Sequence, residues 1–239
     1  MKAVILAGGL GTRLKPFTQA IPKPLLPIGE QSLLEIQIGN LVRYDFTDVF
    51  ICTNYKADYV EQFIGEGSRL GARVKFSREE EALGTCGPLS LLRDELDEPF
   101  ILMNGDILTT IDFGRFYRFA TKNELEFTIA TTKIRTPFNY GSVQSEDDRI
   151  TKLEEKPDFL IEVVAGIYYM RPTVHDRIPD GTYFGIDDLI EGMLAKGEPI
   201  GRYLMSEYWL DIGRIDDYSQ AEDAYQEHFT SERSEDFAG

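Results

Sequence analysis

Four times in the first 125 residues a short apolar run gives way to a segment of helical periodicity, and that alternation leaves the chain few folds to choose from. The runs are KAVILAG, DVFICTN, ARVKFSRE and PFILMNGD. KAVILAG, small and branched throughout, has the pattern of a strand buried on both faces of a parallel sheet. Between the runs, SLLEIQIGNLVRYDF carries Leu33, Leu34, Ile36, Ile38, Leu41 and Val42 at helical spacing, with Ser32 placed to cap. KADYVEQFIGEG, closed by glycine, GTCGPLSLLRDEL and IDFGRFYRFATKN also predict helices. The order β-α-β-α-β-α-β-α predicts an α/β, doubly wound Rossmann-like sheet, which binds ligands at the carboxyl ends of its strands.

The rest of the chain is richer in strands. EFTIATTKI, GSVQSED, RITKLEEKP, FLIEVVAGIYYMRP and PIGRYLMSEYWLDIG predict strands, whereas TVHDRIP, GIDDLIEGMLAKG and RIDDYSQAEDAYQEHF predict helices. There is no internal repeat and no linker rich in Pro, Gly or Ser. The expectation is one domain over residues 1–228, with halves 1–125 and 126–228, followed by a frayed tail at 229–239.

Charge and composition exclude several roles. Lys and Arg number 25 against 41 Asp and Glu, a net charge of −16 that opposes binding to nucleic acid. No stretch reaches the roughly 18 apolar residues that a membrane span needs. The start, Met1-Lys2 and then AVILAGG, is too short and glycine-rich for a signal peptide, so a cytoplasmic protein is expected. Cys52 and Cys86, the only cysteines, read as reduced and inert thiols.

The chemistry-bearing residues begin at GGLGTR, residues 8–13, directly after the first apolar run. Glycines lack Cβ, so successive amides can turn toward one anion. A Walker loop needs Gly-Lys-Ser/Thr, and here Thr12-Arg13 follows Gly11. The dinucleotide fingerprint wants glycine where Leu14 stands. That leaves a third kind of phosphate loop, with Arg13 as a fork for phosphate oxygens, or a sharp turn with a solvated arginine. Pro22 and Pro24 stiffen the backbone on either side of Lys23, which suits charge neutralisation at a reacting phosphate; read alone, it is also an ordinary loop lysine. Asp106 and Asp211 each follow an apolar run, the place for a Mg²⁺ ligand or for a turn-forming Asp. Glu79–Glu81 form an acidic run, either solvated or, through Glu80 or Glu81, facing the N1–H and N2–H₂ donors of a guanine. His175 and His228 lie near none of these motifs and receive no role.

Taken together, LAGGLGTRLKPFT and PKPLLPIG resemble the signature of the sugar-1-phosphate nucleotidylyltransferases, the nucleotide-sugar pyrophosphorylases, and the likeness runs to about residue 225. The resemblance implies the mixed sheet of the nucleotide-diphospho-sugar transferases, with residues 1–125 binding nucleotide and a smaller strand-rich portion, 126–228, binding sugar. It implies transfer of a nucleotidyl group from an NTP to a sugar 1-phosphate with release of pyrophosphate. By resemblance, Arg13 and Lys23 are catalytic, and Asp106 (of NGD) and Asp211 (of WLDIG) hold Mg²⁺. Leu6, Ala7, Gly8, Gly9, Gly11, Thr12 and Arg13 would bind the nucleotide, with Glu81, Gly84 and Thr85 near the base or ribose. Cys86 replaces the alanine common in that loop, a small uncharged change. Asn104, Gly105, Tyr140, Gly141, Glu155, Lys156, Ala165, Gly166 and Trp209 would serve the sugar phosphate. The partners implied are a nucleoside triphosphate and a sugar 1-phosphate, with neither nucleic acid nor membrane and with homo-oligomers possible.

Uridylyl, thymidylyl, cytidylyl, guanylyl and adenylyl enzymes share these motifs. The stretch from NYKADY to GPLSLL, with EYWLDIGRIDDY, looks most like guanylyltransferases of amino-sugar or mannose-type pathways, so GTP is favoured over UTP and CTP. The stop soon after AEDAY leaves no room for a C-terminal left-handed β-helix, so trimerisation is not expected. Some relatives are non-catalytic regulatory subunits; they usually lose the loop arginine, the PKP lysine or a metal aspartate, and all four residues are present here. A cytidylyltransferase for a non-sugar alcohol phosphate would lack the YG, EKP and GIY segments found here.

Overall fold

The computed structural model describes residues 1–230. The expectation of a frayed tail therefore lies outside the described residues from 231 onward, while Phe229 closes the last helix and stacks on Tyr225.

Seven strands make the main sheet: β1 (Lys2–Leu6), β2 (Asp48–Thr53), β3 (Arg73–Arg78), β4 (Phe100–Asn104), β5 (Phe127–Pro137), β6 (Asp158–Met170) and β7 (Gly201–Leu204). Their order across the sheet is β7-β5-β6-β4-β1-β2-β3. Only β6 runs against the others, so the sheet is mixed as expected. The chain leaves β1 toward β2 and β3 on one side and returns to β4 on the other. The switch point is the gap between the carboxyl ends of β1 and β4, where an α/β sheet opens a ligand crevice.

Both faces of the sheet are covered. Ala3 and Ile5 of β1 enter one buried cluster and Val4 the opposite one, which is why the strand is apolar at every position. The first cluster is closed by α1 (Leu33–Arg43), α2 (Ala57–Ile64) and α3 (Phe113–Lys122). The second lies under the 3₁₀ segments Gly87–Leu92 and Pro172–Arg177 and under α4 (Ile186–Ala195). A third, around Leu14, Leu33, Ile36 and Ile212, is capped by Tyr225 of α5 (Ile215–His228). Ser32 caps α1 as read: its Oγ accepts from Glu35 N at 3.3 Å, and Glu35 Oε2 accepts from Ser32 N at 2.7 Å.

Three readings of elements need correction. GTCGPLSLLRDEL and TVHDRIP form 3₁₀ segments instead of α-helices. In the first, the Ser90 hydroxyl donates to Gly87 O at 2.7 Å, a local bond that competes with helical pairing. PIGRYLMSEYWLDIG is not one strand but two. Gly201–Leu204 joins the main sheet beside β5, and Trp209–Asp211 forms a separate antiparallel ladder with Ile107–Thr109. The second half also throws out an arm. The ends of β5 and β6 run beyond the sheet and carry the hairpin Ser142–Glu146/Arg149–Glu154, in which all but Ser142 are exposed.

Candidate active site

The crevice at the switch point has a volume of about 440 Å³. Its floor is the end of β1 and the loop that follows, Leu6 to Arg13. Gly105 lets β4 come in against β1: its N–H donates to Leu6 O at 2.9 Å, and a Cβ there would sit 2.4 Å from that oxygen. Gly11 takes the left-handed conformation (φ 58°), and a Cβ on it would sit 2.8 Å from Thr18 Cγ2. Thr18, itself buried, donates from Oγ1 to Gly11 O at 2.8 Å and fixes the turn. The expected loop glycines thus line the crevice as bare backbone, with Thr12 and Arg13 beside them.

The charged groups converge on one end of this loop. Lys23 is 9 % exposed, and its Nζ donates to Asp106 Oδ2 at 2.6 Å. Asp211 comes from the far end of the chain. The ladder registers it against Ile107, and Ile212 N donates to Asp106 O at 2.9 Å, so the two aspartates arrive as neighbours. The Asp211 carboxyl is held above its ordinary pKa by the protein packed around it and by the charge of Asp106, against the opposing pull of Lys23 and Arg13. Arg13 lies over Gly213, where a Cβ would be 3.3–3.4 Å from the guanidinium. Two carboxylates pressed together beside a cleft of bare amides fit a divalent cation: the ion relieves their repulsion, and phosphate oxygens complete its shell. Among the described residues no group of three or more His, Cys, Asp or Glu is arranged to hold a metal ion.

At the other end of the crevice stand Asn54, Glu79, Ala82, Gly84, Thr85 and Tyr183. Glu79 follows directly on β3 and is 8 % exposed. Its Oε2 accepts from Leu83 N at 2.9 Å, while Oε1 faces Gly8, 3.1 Å from where a Cβ would be. Asn54 Nδ2 donates to Glu79 O at 3.1 Å and holds the turn. Burial raises the Glu79 carboxyl above the usual range, and the Leu83 amide opposes that rise. Glu81, the expected base reader, is exposed and is not among the lining residues. The path of β3 turns Glu79 inward, and the two glutamates after it fall in a surface bend.

The expected sugar residues divide. Asn104 and Gly105 line the crevice. Ala165 and Gly166 are buried in a β-bulge of β6, where a Cβ on Gly166 (φ 69°) would meet Asn104 Nδ2 at 2.8 Å. Trp209 braces that bulge by donating from Nε1 to Ala165 O at 2.7 Å. Tyr140, Gly141, Glu155 and Lys156 lie outside the lining, grouped at the base of the exposed hairpin, where a Cβ on Gly141 would be 3.2 Å from Glu155 Oε2. Asn54, Glu79 and Tyr183 were not singled out from the sequence. Only Glu79 left a trace there, as a member of the acidic run. The histidines stand apart: His175 is buried against Phe100, and His228 packs on Tyr208. Both thiols are free and buried, and burial pushes that of Cys86 up to about 12.

The nucleotidyl transferase family profile matches residues 2–228. Mannose-1-phosphate guanyltransferase beta-B of Xenopus laevis is 36% identical over 226 residues, which are 91% of this chain and 62% of that protein. Mannose-1-phosphate guanyltransferase of Neurospora crassa is 32% identical over 247 residues, covering 100% of this chain and 68% of the relative. The chain thus spans a little under two thirds of the length of several curated relatives that it matches. Among solved structures, HddC from Yersinia pseudotuberculosis complexed with GMP-PN superposes with a TM-score of 0.73 at 25% identity, over 94% of this chain and 99% of that one.

Proposed function

Because the chain belongs to the nucleotidyl transferase family, we propose that it transfers a guanylyl group from GTP to a mannose-type sugar 1-phosphate, releasing pyrophosphate. The observation that carries this reading is the Lys23–Asp106 ion pair in the wall of the glycine-loop crevice, with Asp211 laid beside Asp106 by the short ladder. A sugar-phosphate oxygen attacks the α-phosphorus in line. A monoester's second pKa is about 6, so the attacking oxygen is already anionic at neutral pH and needs no general base. The task left to the protein is to hold two polyanions together and offset the charge that builds. The amides of Gly8–Gly11 and the Arg13 guanidinium receive the β- and γ-phosphates. Lys23, aimed by its two prolines, bridges the α-phosphate and the incoming phosphate. Mg²⁺ on Asp106 and Asp211 would draw charge from the phosphoryl oxygens.

The choice of base rests on Glu79. Guanine offers N1–H and N2–H₂ side by side, a donor pair that one carboxylate can accept. Uracil presents a single N3–H between two carbonyl oxygens, and a carboxylate facing it would meet like charge. Relatives that are mannose-1-phosphate guanyltransferases support GTP and mannose 1-phosphate as the pair. The arm with Tyr140, Gly141, Glu155 and Lys156 is the sugar-binding part in this reading, and the compartment is the cytoplasm. No helix among the described residues is long and apolar enough to cross a membrane.

The test is pyrophosphate release from five NTPs paired with several hexose and hexosamine 1-phosphates in Mg²⁺. GTP with mannose 1-phosphate should give the highest kcat/KM. No release from any pair would overturn the proposal, and a pyrimidine preference would overturn the role given to Glu79.

A further inference from the structure

The loop that carries Gly84 and Thr85 is held by more than its own neighbours in sequence. It is tied to residues 178–186, nearly a hundred positions later. Phe184 N donates to Leu83 O at 2.9 Å, and Phe184 O accepts from Cys86 N at 3.0 Å and Gly87 N at 2.9 Å. Ile186 N donates to Thr85 Oγ1 at 2.8 Å, and Gly181 N donates to Ser90 Oγ at 3.3 Å. Arg93 Nη2 donates to Ile178 O at 3.2 Å and to Asp180 Oδ1 at 2.8 Å. Bonds at both ends and in the middle leave this strap little freedom.

From the middle of the strap one large side chain projects into the crevice. Tyr183 lines the cavity yet is 71 % exposed. Phe184 beside it packs against the core instead, so the exposure of Tyr183 does not come from a loose segment. Its Cε2 lies 3.3 Å from where a Cβ on Gly84 would be, while Phe184 O is 2.7 Å from the same point. Glycine therefore lets the strap lie directly against the loop, with the edge of the Tyr183 ring beside Gly84. An exposed aromatic ring held on a tethered strap at the crevice, with the Glu79 carboxylate in the same lining, has the layout of a stacking platform for a flat ring.

We propose that Tyr183 stacks on the nucleobase and supplies purine-over-pyrimidine selectivity, separately from the hydrogen-bond reading by Glu79. The inference rests on the assignment of this crevice to a nucleotide. A purine's two fused rings cover more of the tyrosine face than a pyrimidine's one, so removal of the ring should cost a purine more. The phenol oxygen is not needed for stacking, and phenylalanine should serve as well.

Equilibrium dialysis of GTP and CTP with Mg²⁺ reads this directly, on the wild type, Tyr183→Ala and Tyr183→Phe, with pyrophosphate release measured alongside. Tyr183→Ala should weaken GTP about tenfold and CTP by less than about threefold. Tyr183→Phe should restore GTP affinity. GTP binding unchanged in Tyr183→Ala, or GTP and CTP weakened equally, would overturn the proposal; so would a wild type that binds neither nucleotide. Dialysis does not depend on turnover. A wild type that binds GTP and releases no pyrophosphate therefore sinks the transferase reading while the stacking measurement stands or falls by itself.

Discussion

At the scale of single residues, the site depends on charges whose positions are not free to vary. Lys23 is nearly enclosed and bonded to Asp106, so its ammonium is in place before any ligand arrives. Lys23→Met keeps the aliphatic stem and removes the charge. It should lower kcat for pyrophosphate release by about 10²–10³ with the thermal midpoint close to wild type. Glu79→Gln replaces an acceptor pair with one acceptor and one donor. GTP should then lose about tenfold in kcat/KM and UTP should gain, as steady-state kinetics with both nucleotides would record. Arg13, Lys23, Asp106 and Asp211 were legible as candidates, because a glycine loop and flanking prolines mark the first two and a family resemblance adds the aspartates, and the fold brings all four near one another. The sequence could not choose among three consecutive glutamates, since the side a residue faces after a strand depends on where the strand stops. Tyr183 left no mark, because what brings it to the crevice is chain far away in sequence; Asn54, at the carboxyl end of β2, was passed over.

At the scale of elements, capping and burial decide what the sequence can disclose. Ser32 was legible as a cap because the capping box is local chemistry. Ser32→Ala should cost about 1 kcal/mol, which in a chain of this size is a drop of roughly 2–4 °C in the thermal midpoint. The 3₁₀ segments were misread because an apolar spacing of three or four suits both helix types. In one of them His175 is 4 % exposed, stacked on Phe100, and neither ring nitrogen has a hydrogen-bond partner. Burial and then the nearby Arg93 hold it below the ordinary histidine range, with Asp176 opposing. The unfolded chain therefore takes up a proton near pH 6.5 that the folded chain refuses. This contribution to stability is complete above about pH 6.5 and is lost as pH falls toward the depressed value. His175→Phe should remove that acid-side loss, and thermal melts from pH 5 to 7.5 would show the wild-type and variant midpoints diverging as pH falls.

At the scale of the whole molecule, the parallel core was readable because βαβ alternation and the handedness of crossovers leave few topologies. The arm was not, since alternation within a hairpin says nothing of how far the hairpin stands off. Val143, Ile150 and Leu153 are all more than half exposed, so the hairpin contributes little to the core. The double variant Ile150→Ser/Leu153→Ser should leave the thermal midpoint within about 1 °C, as scanning calorimetry would measure. The split of PIGRYLMSEYWLDIG between two sheets was equally hidden, and it is the split that frees Trp209–Asp211 to find Ile107–Thr109. That short ladder sets a timetable for the ribosome. Asp106 and Asp211 stand about a hundred residues apart, so a chain still being synthesised carries the glycine loop and the first carboxylate well before the second can dock beside it.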